Sequence, residues 1–440
     1  MNRIAKADRR FWTMIPSITS RNTAESKKGV VVLYKISVSL AIVLLVLLIS
    51  GIYHVGSNAT LAGGLFGAFF IFLSSRPSLP HVGLSLATGA TVGFLYGILG
   101  GSFGKDSGVE TFSLYMGMGA FLGAGSILVM SLDKAWTASP RYAAPLKDAL
   151  ILPAFMLIGG IFMQFANGGS HPSLDFFLYR FDSSLGLAPG HSVATLFRKL
   201  PFVETASLFT YSGLLIFPPL YRGWACYERK TGKVNLIHAF VVAGASGFVL
   251  YQICPAMGPL YAFGSQFPDH LPLMSAVPAK AFASTGVNNA MPSLHMTWVL
   301  LVWVAAWELG PFALVIASLV ATLTGLATVG FGEHYFIDLI AAAPLTMMVH
   351  GICSARHKLT AVGLGLVVAW TAYLRTGIQL PAFFNWSLIL VTVITTLFMM
   401  RSSLRLTPQK FSPSPHAIDP LYGAMGKQLS VKDINGVSKI

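Results

Sequence analysis

The sequence predicts an all-α, polytopic integral membrane protein with about 12 transmembrane helices. Of its 440 residues, 54% are hydrophobic and only 10% are charged, whereas soluble domains carry about 25% charged residues. The mean hydropathy is +0.67. The apolar residues also fall into runs of membrane-spanning length that are separated by polar segments. This composition excludes a soluble cytosolic enzyme.

The apolar runs, at roughly 17 to 25 residues each, are long enough to cross a bilayer as helices. The first run follows a long basic arm and precedes many others, which indicates a retained anchor rather than a cleaved signal peptide. In chain order the runs cover residues 36–54, 58–75, 81–103, 111–132, 148–167, 203–221, 234–254, 293–309, 311–331, 335–354, 359–377 and 383–400. The glycine pairs Gly63/Gly67, Gly93/Gly97 and Gly119/Gly123 have the spacing of close helix contacts.

The basic residues predict the orientation in the membrane. Cytoplasmic loops carry an excess of Lys and Arg, and the net charge here is +14. An arrangement with both termini in the cytoplasm leaves outside only Lys105, Arg180, Arg198, Lys199, Lys280 and Arg375. The positive charge therefore reflects topology, and no nucleic-acid partner is expected. The cysteines Cys226, Cys254 and Cys353 are too few and too dispersed for a disulfide scaffold or a cysteine metal site.

The runs and loops divide the chain into five parts. We expect a cytoplasmic N-terminal arm (1–35), a four-helix transmembrane module (36–147), a six-helix core (148–354), two C-terminal transmembrane helices (355–401) and a cytoplasmic tail (402–440). Two outer loops, 168–202 and 255–292, are too long to be simple connectors. The first contains LDFFLYRFDSSLG (Leu174–Gly186), whose apolar spacing predicts a helix along the membrane interface.

Two polar stretches at the ends of apolar runs are the candidates for chemistry, because polar groups are costly within a membrane. One is AMPSLHMTW with His295, and the other is GFGEHYFIDLIAA with His334 and Asp338. Two apolar passes separate the histidines, so both are expected at the same outer face. His334 and Asp338 are four residues apart, which places them on one face of a helix. The carboxylate can then accept a hydrogen bond from one ring nitrogen and leave the other nitrogen free to attack.

A nucleophilic histidine, an orienting carboxylate and a second histidine that protonates a leaving oxygen suit phosphoryl transfer through a phosphohistidine. We therefore assign His334, Asp338 and His295 to catalysis; this chemistry requires no metal or cofactor. Ser293 either caps the helix of His295 or helps its free amides to hold phosphate, and Tyr335 is assigned to substrate binding. The candidate phosphate cations are Lys280, Arg180, Arg198 and Lys199. Glu333 is interpreted as a solvated residue at the rim.

At these residues the chain resembles the type 2 phosphatidic acid phosphatase (PAP2) superfamily. The resemblance rests on PSLH (Pro292–His295) and HYFID (His334–Asp338) and extends over about 148–354. The surrounding NNAMPSLHMTW and GEHYFIDLIAA, with CPAMGPLY (Cys254–Tyr261) and the segment containing Asp175 and Asp182, look more like the branch of the fungal Aur1-type inositol phosphorylceramide synthases.

The resemblance implies that His334 is the nucleophile, Asp338 its orienting partner and His295 the acid, in agreement with the spacing argument. Two departures concern phosphate binding. The KxxxxxxRP motif of the family is missing, and the position of its third-motif arginine, six residues before His334, is Thr328. These departures favour the Aur1-like branch over a plain phosphatidic acid phosphatase.

Three functions follow from these features. The leading one is transfer of a phosphorylated head group, phosphoinositol-like by the resemblance, from a phospholipid donor to a lipid alcohol. The second uses the same histidines with water as acceptor and is a lipid or isoprenoid phosphate phosphatase. The third is a transporter or flippase in which His and Asp relay protons, although inverted repeats and broken helices are not evident. We expect a bacterial inner membrane, with the site on the periplasmic, or in a eukaryote lumenal, face.

Overall fold

The computed structural model describes residues 58–98, 110–132, 140–167, 173–186, 188–228, 234–264, 267, 287–378 and 380–405. All regular elements within these residues are helices, which confirms the all-α prediction there. In chain order they are α1 (Asn58–Ser74), α2 (Leu79–Ile98), α3 (Glu110–Leu132), α4 (Pro140–Asn167), α5 (Asp175–Ser184), α6 (Pro189–Lys199), α7 (Pro201–Ser212), a 3-10 turn (Leu214–Ile216), α8 (Phe217–Tyr227), α9 (Leu236–Ile253), α10 (Pro259–Phe263), α11 (Leu294–Leu309), α12 (Pro311–Gly330), α13 (Phe336–Cys353), α14 (His357–Thr376) and α15 (Ala382–Arg405).

Five of the described helices are long and apolar enough to cross a membrane, which supports membrane integration. They are α9, α12, α13, α14 and the Ala382–Ser403 part of α15, while Gly64–Ser74, Phe121–Leu132 and Leu294–Leu309 are shorter apolar helices. The number of about twelve spans and the six-helix core are not confirmed and stay predictions. The first predicted span, 36–54, lies outside the described residues.

One apolar run forms two helices instead of the expected one. The run 203–221 is divided between α7, which ends at Ser212, and α8, which begins at Phe217. Gly213 ends α7 with its amide on the carbonyl of Phe209 at 2.8 Å. Pro218 and Pro219 follow, and neither has an N–H to continue the helical hydrogen bonds. The chain therefore restarts as a new helix after a single 3-10 turn.

The early helices pack with unusually close backbones. A Cβ atom at Gly123 of α3 would lie 1.8 Å from the carbonyl oxygen of Leu65 on α1, so only glycine fits there. The Ser85 and Ser126 hydroxyls hydrogen-bond between α2 and α3 at 3.0 Å. Small residues at a helix interface permit this approach, and the contact at Gly123 agrees with the prediction from the Gly119/Gly123 spacing.

A buried polar cluster joins α4 to α8 and to the start of α9. The Asp148 carboxylate accepts hydrogen bonds from Arg222 Nε and from Asn235 Nδ2, both at 2.8 Å. Asp148 is only 2% exposed, and a buried carboxylate is costly unless its oxygens are hydrogen-bonded. Here each of the two oxygens has a partner. Arg222, interpreted from the sequence as a charge that sets topology, is thus also part of a buried ion pair.

The two C-terminal helices reinforce the segment that precedes the candidate site. The Phe181 ring of α5 packs edge-to-face on Trp370 of α14, with ring centroids 5.6 Å apart. Trp370 in turn donates to Thr392 Oγ1 of α15 at 3.0 Å. The described residues up to Thr396 belong to one compact unit, and the end of α15 from Leu397 belongs to a second. The five-part division from the sequence remains a prediction.

The predicted helix in Leu174–Gly186 is present as α5. One face of it is buried, with Leu178 fully enclosed and Asp175 and Asp182 also buried. These two carboxylates are seven residues apart, or about two helical turns, and therefore share the buried face. A helix that looks amphipathic from its sequence here directs acidic groups towards the protein. Its position along a membrane interface remains a prediction.

Candidate active site

His334 lies in the turn between α12 and α13 and is almost fully buried, at 4% exposure. Its amide donates to the carbonyl of Thr328 at 2.9 Å, which ties the turn to the end of α12. Its ring atom Nδ1 lies 2.8 Å from the carbonyl oxygen of Ala290. A carbonyl can only accept, so Nδ1 carries the proton and Nε2 keeps its lone pair. Burial lowers the pKa of His334 to about 4, although the hydrogen bond to Ala290 and the charge of Glu333 oppose this shift.

Asp338 lies beside His334 but has a different main partner from the one expected. Its Oδ2 accepts the Tyr335 amide at 2.8 Å and lies 3.5 Å from His334 Nδ1. The predicted hydrogen bond from the ring to this carboxylate is replaced by the bond to Ala290. The reason is that α13 begins only at Phe336, so His334 precedes the helix and Asp338 is free to cap its first turn. Asp338 remains the carboxyl group next to the ring.

His295 opens α11 and faces His334 across the gap between the two helix starts. The ring centroids are 6.1 Å apart, so the structure brings the two histidines together as the two intervening passes require. Ser293 caps this helix, with its Oγ accepting the Met296 amide at 3.3 Å. Of the two readings of Ser293, the structure supports the cap.

Asp175 connects the segments that meet around His334. Its Oδ1 accepts the Gly258 amide at 2.9 Å and the Tyr335 hydroxyl at 2.8 Å, and its Oδ2 accepts the Met257 amide at 2.9 Å. The Ser173 hydroxyl donates to the same carboxylate. Burial raises the pKa of Asp175, while these four hydrogen bonds lower it. The carboxylate thereby fixes the side chain that follows His334.

Asp182 holds the start of α13 from the other direction. Its Oδ2 accepts the Phe336 amide at 2.7 Å and its Oδ1 accepts the Ile337 amide at 3.2 Å. These amides belong to the free N–H groups at a helix start, where a carboxylate is favoured. Burial raises the pKa of Asp182 to about 8, against the lowering effect of the amide of Phe336. Asp182 and Asp338 together accept the backbone amides of Tyr335, Phe336 and Ile337 at the start of α13.

Backbone contacts bring the loop 254–258 to the same place. The Ala290 amide donates to the carbonyl of Ala256 at 2.9 Å. The carbonyl of Ala290 in turn orients His334. Gly258 has φ +93, and a Cβ there would lie 2.2 Å from the carbonyl oxygen of Glu333. Only glycine suits this left-handed, close position. The four motif segments noted in the sequence, with Asp175, Cys254–Tyr261, His295 and His334, therefore converge.

A pocket of about 40 Å³ opens beside His334. Its polar lining includes Tyr179, Asp182, Ser183 and Tyr335, and no Lys or Arg is among the described residues that line it. The Tyr335 ring contributes to the wall while its hydroxyl is bound to Asp175. The sequence assignment of Tyr335 to substrate binding is thus untested, but its location is beside the nucleophile candidate.

Among the predicted phosphate cations that the structure describes, Arg180, Arg198 and Lys199 do not line this pocket. Arg180 lines a different pocket, next to Tyr373 and Asn385, and its guanidinium lies over the Phe176 ring at 5.2 Å. Successive residues of a helix point in different directions, so Arg180 faces away from the side that carries Asp182. Arg198 donates to Thr195 Oγ1 within α6. Lys280 lies outside the described residues.

Four participants were not assigned to the site from the sequence alone: Asp175, Asp182, Ala290 and Tyr211. The seven-residue spacing of the two aspartates was a usable signal, because it places both on one helix face. Ala290 acts through its backbone and leaves no signal in its side chain. The Tyr211 ring stacks on His295, with centroids 4.1 Å apart and an interplanar angle of 13°. Tyr211 and His295 are about 84 residues apart in the chain, so no local pattern indicates the contact.

Residues 177–352 match the family described as the PAP2 superfamily. This range starts within α5, includes both histidines and Asp338, and ends one residue before α13 does. No curated protein and no solved structure matches the chain. Among the described residues, no group of three or more His, Cys, Asp and Glu side chains could hold a metal ion. The superfamily match covers the same helices that assemble the site.

Proposed function

We propose that the protein is a membrane phosphotransferase that moves a phosphorylated, phosphoinositol-like head group from a phospholipid to a lipid alcohol. The observation that carries this proposal is the state of His334. Its Nδ1 is held by the carbonyl of Ala290, and no described residue hydrogen-bonds to its Nε2. A buried, neutral imidazole with one nitrogen fixed and the other free is suited to nucleophilic attack on phosphorus. The match to the PAP2 superfamily supports the same class of chemistry.

In the first half-reaction, His334 Nε2 attacks the phosphorus of the donor. The N–P bond forms while the bond from phosphorus to the glycerol oxygen breaks, and His295 donates a proton to that oxygen as diacylglycerol leaves. The phosphorylated ring of His334 is positively charged at this stage. Asp338 Oδ2, 3.5 Å from Nδ1, stabilises that charge because it is close and shielded from solvent.

In the second half-reaction, the hydroxyl of the acceptor lipid attacks the phosphorus. Its proton passes to His295, which acts as the base, and the N–P bond breaks to restore neutral His334. With a lipid phosphate monoester as donor and water in place of the lipid alcohol, the same two steps release inorganic phosphate, and the protein is then a phosphatase. Lys280 stays the proposed cation for the phosphate oxygens. The outer-facing site and the bacterial inner membrane also remain proposals.

The test supplies labelled phosphatidylinositol and phosphatidic acid to the purified protein, with and without ceramide or diacylglycerol, and resolves the products. The His334→Ala variant is compared with His357→Ala. His357 is exposed at the start of α14, beyond the far end of α13, roughly 27 Å along the helix from His334. We expect the wild type and His357→Ala to transfer the labelled head group to the added lipid alcohol. We expect His334→Ala to show no turnover.

Each other result has a definite meaning. Inorganic phosphate released from phosphatidic acid without a lipid acceptor, and dependent on His334, assigns a phosphatase. Turnover that persists in His334→Ala contradicts both enzymatic readings. Loss of lipid movement across vesicles in His334→Ala, with unchanged lipid phosphate chemistry, would instead assign a transporter or flippase.

A further inference from the structure

We infer that Tyr211 is a positioning residue for His295. It holds the His295 ring in the orientation needed to protonate the leaving group, and it favours the protonated form of that ring. This inference rests on the proposed function. Tyr211 contacts His295 and not the ring of the proposed nucleophile. Because His295 is also the base of the second half-reaction, the acid step is isolated by following the first half-reaction without an acceptor. Tyr211 belongs to α7, in the last turn before the helix ends at Ser212.

The two histidines are held in different ways. His334 is oriented by a hydrogen bond to Ala290, whereas no described residue forms a hydrogen bond with the His295 ring. An imidazole without such a bond can rotate about its side-chain torsions unless packing prevents it. The packing comes from Tyr211, which covers one face of the ring at 4.1 Å and 13°.

The remaining neighbours restrict the ring from its edge. Trp298, one turn later in α11, meets His295 at 6.3 Å and an angle of 65°. Trp298 is itself immobilised, since its ring stacks on Phe240 at 4.3 Å and its Nε1 donates to the Phe240 carbonyl at 3.0 Å. Tyr211 on the face and Trp298 at the edge leave the His295 ring directed towards His334.

The stack also has an electrostatic role. The face of an aromatic ring carries partial negative charge and attracts a cation within about 6 Å of its centroid. A protonated His295 at 4.1 Å is within that range, and burial makes the attraction stronger than in water. The Tyr211 face therefore favours the protonated form, which is the form that donates to the departing glycerol oxygen.

The consequence depends on the leaving group. Diacylglycerol leaves as an alcohol and needs a proton, whereas 4-nitrophenol leaves readily as a phenolate and does not. A defect in the acid step should therefore slow the first reaction and spare the second. A general loss of folding would reduce both rates by the same factor.

The experiment measures the single-turnover rate of leaving-group release, without an acceptor, on two donors: phosphatidylinositol and inositol 4-nitrophenyl phosphate, in which 4-nitrophenol replaces diacylglycerol. We expect Tyr211→Leu to lower the rate on phosphatidylinositol about tenfold and to leave the rate on the nitrophenyl ester within a factor of about two. Tyr211→Phe keeps the ring and should restore most of the loss. Tyr211→Ile serves as a second variant without a ring.

The ratio of the two rates is taken within one preparation, so it does not depend on the fraction of folded protein. Phe162→Leu is the matched control, because Phe162 stacks on Phe248 at 5.6 Å and 24° without contact to either histidine; its ratio should equal that of the wild type. An equal loss on both donors, or no activity on either in both variants without a ring, overturns the inference. A wild type inactive on both donors contradicts the proposed function itself.

Discussion

Replacing Asp338 with asparagine tests how the structure supports the nucleophile. The side chain keeps its size, and the amide oxygen can still accept the Tyr335 N–H that Oδ2 accepts at 2.8 Å. The helix cap is therefore retained while the negative charge is lost. Because Nδ1 of His334 is bound to Ala290, the tautomer of the ring should not change either. The substitution isolates the charge of Asp338.

The size of the effect follows from the distance between the charge and the ring. Asp338 Oδ2 lies 3.5 Å from His334 Nδ1. A full positive charge on the phosphorylated ring, at an effective dielectric constant of about 20, is stabilised by roughly 5 kcal/mol at this separation. That energy corresponds to a factor of several thousand in rate. The unfolding free energy should change by no more than about 1 kcal/mol, as expected for a conserved cap geometry.

The assay compares kcat with phosphatidylinositol and a lipid alcohol, together with the thermal unfolding midpoint in detergent. We expect kcat to fall by a factor of several thousand with a nearly unchanged midpoint. A rate within tenfold of the wild type would show that Asp338 carries no charge that acts on His334. A large fall in the unfolding midpoint would show that its main role is structural.

Three other perturbations have defined outcomes. Asp175→Ala removes the acceptor of two buried amides, Met257 and Gly258, and should lower the unfolding free energy by roughly 2 to 6 kcal/mol; a midpoint like that of the wild type in thermal unfolding would contradict this. The pKa of His334, at about 4, predicts a rate that falls as the pH drops through 4, because protonation removes the attacking lone pair; a pH–rate profile that keeps rising below that value would contradict a neutral nucleophile. Gly123→Ala places a Cβ 1.8 Å from a backbone oxygen and should destabilise the protein by about 1 to 3 kcal/mol, whereas Gly83→Ala, with nothing within 4 Å, should not; equal midpoints for the two variants would contradict the close packing.

The parts of the site that the sequence could predict lie within short segments. The positions of His295 and His334 at one end of two antiparallel passes depend only on the count of spans between them. A polar residue followed by an apolar run also indicated the cap at Ser293, which the structure contains. Such features are local, so spacing and residue type are enough to identify them.

The parts that could not be predicted arise from contacts between distant segments. The acceptor for His334 is a backbone carbonyl at Ala290, and any residue type could supply it. The expectation that Arg180 binds phosphate considered its charge but not the face of α5 on which it lies. Tertiary contacts between distant segments determine both the acceptor of His334 and the surroundings of Arg180.

Trapping the phosphorylated enzyme tests most directly whether His334 is the nucleophile. The protein is mixed with donor lipid labelled at phosphorus, without acceptor, then quenched in alkali and digested, and the labelled peptide is identified by mass spectrometry. We expect an acid-labile, alkali-stable label on His334 that is absent in His334→Ala and is discharged when lipid alcohol is added before the quench. Label on another residue, or turnover with no label on His334 at any time, would contradict it.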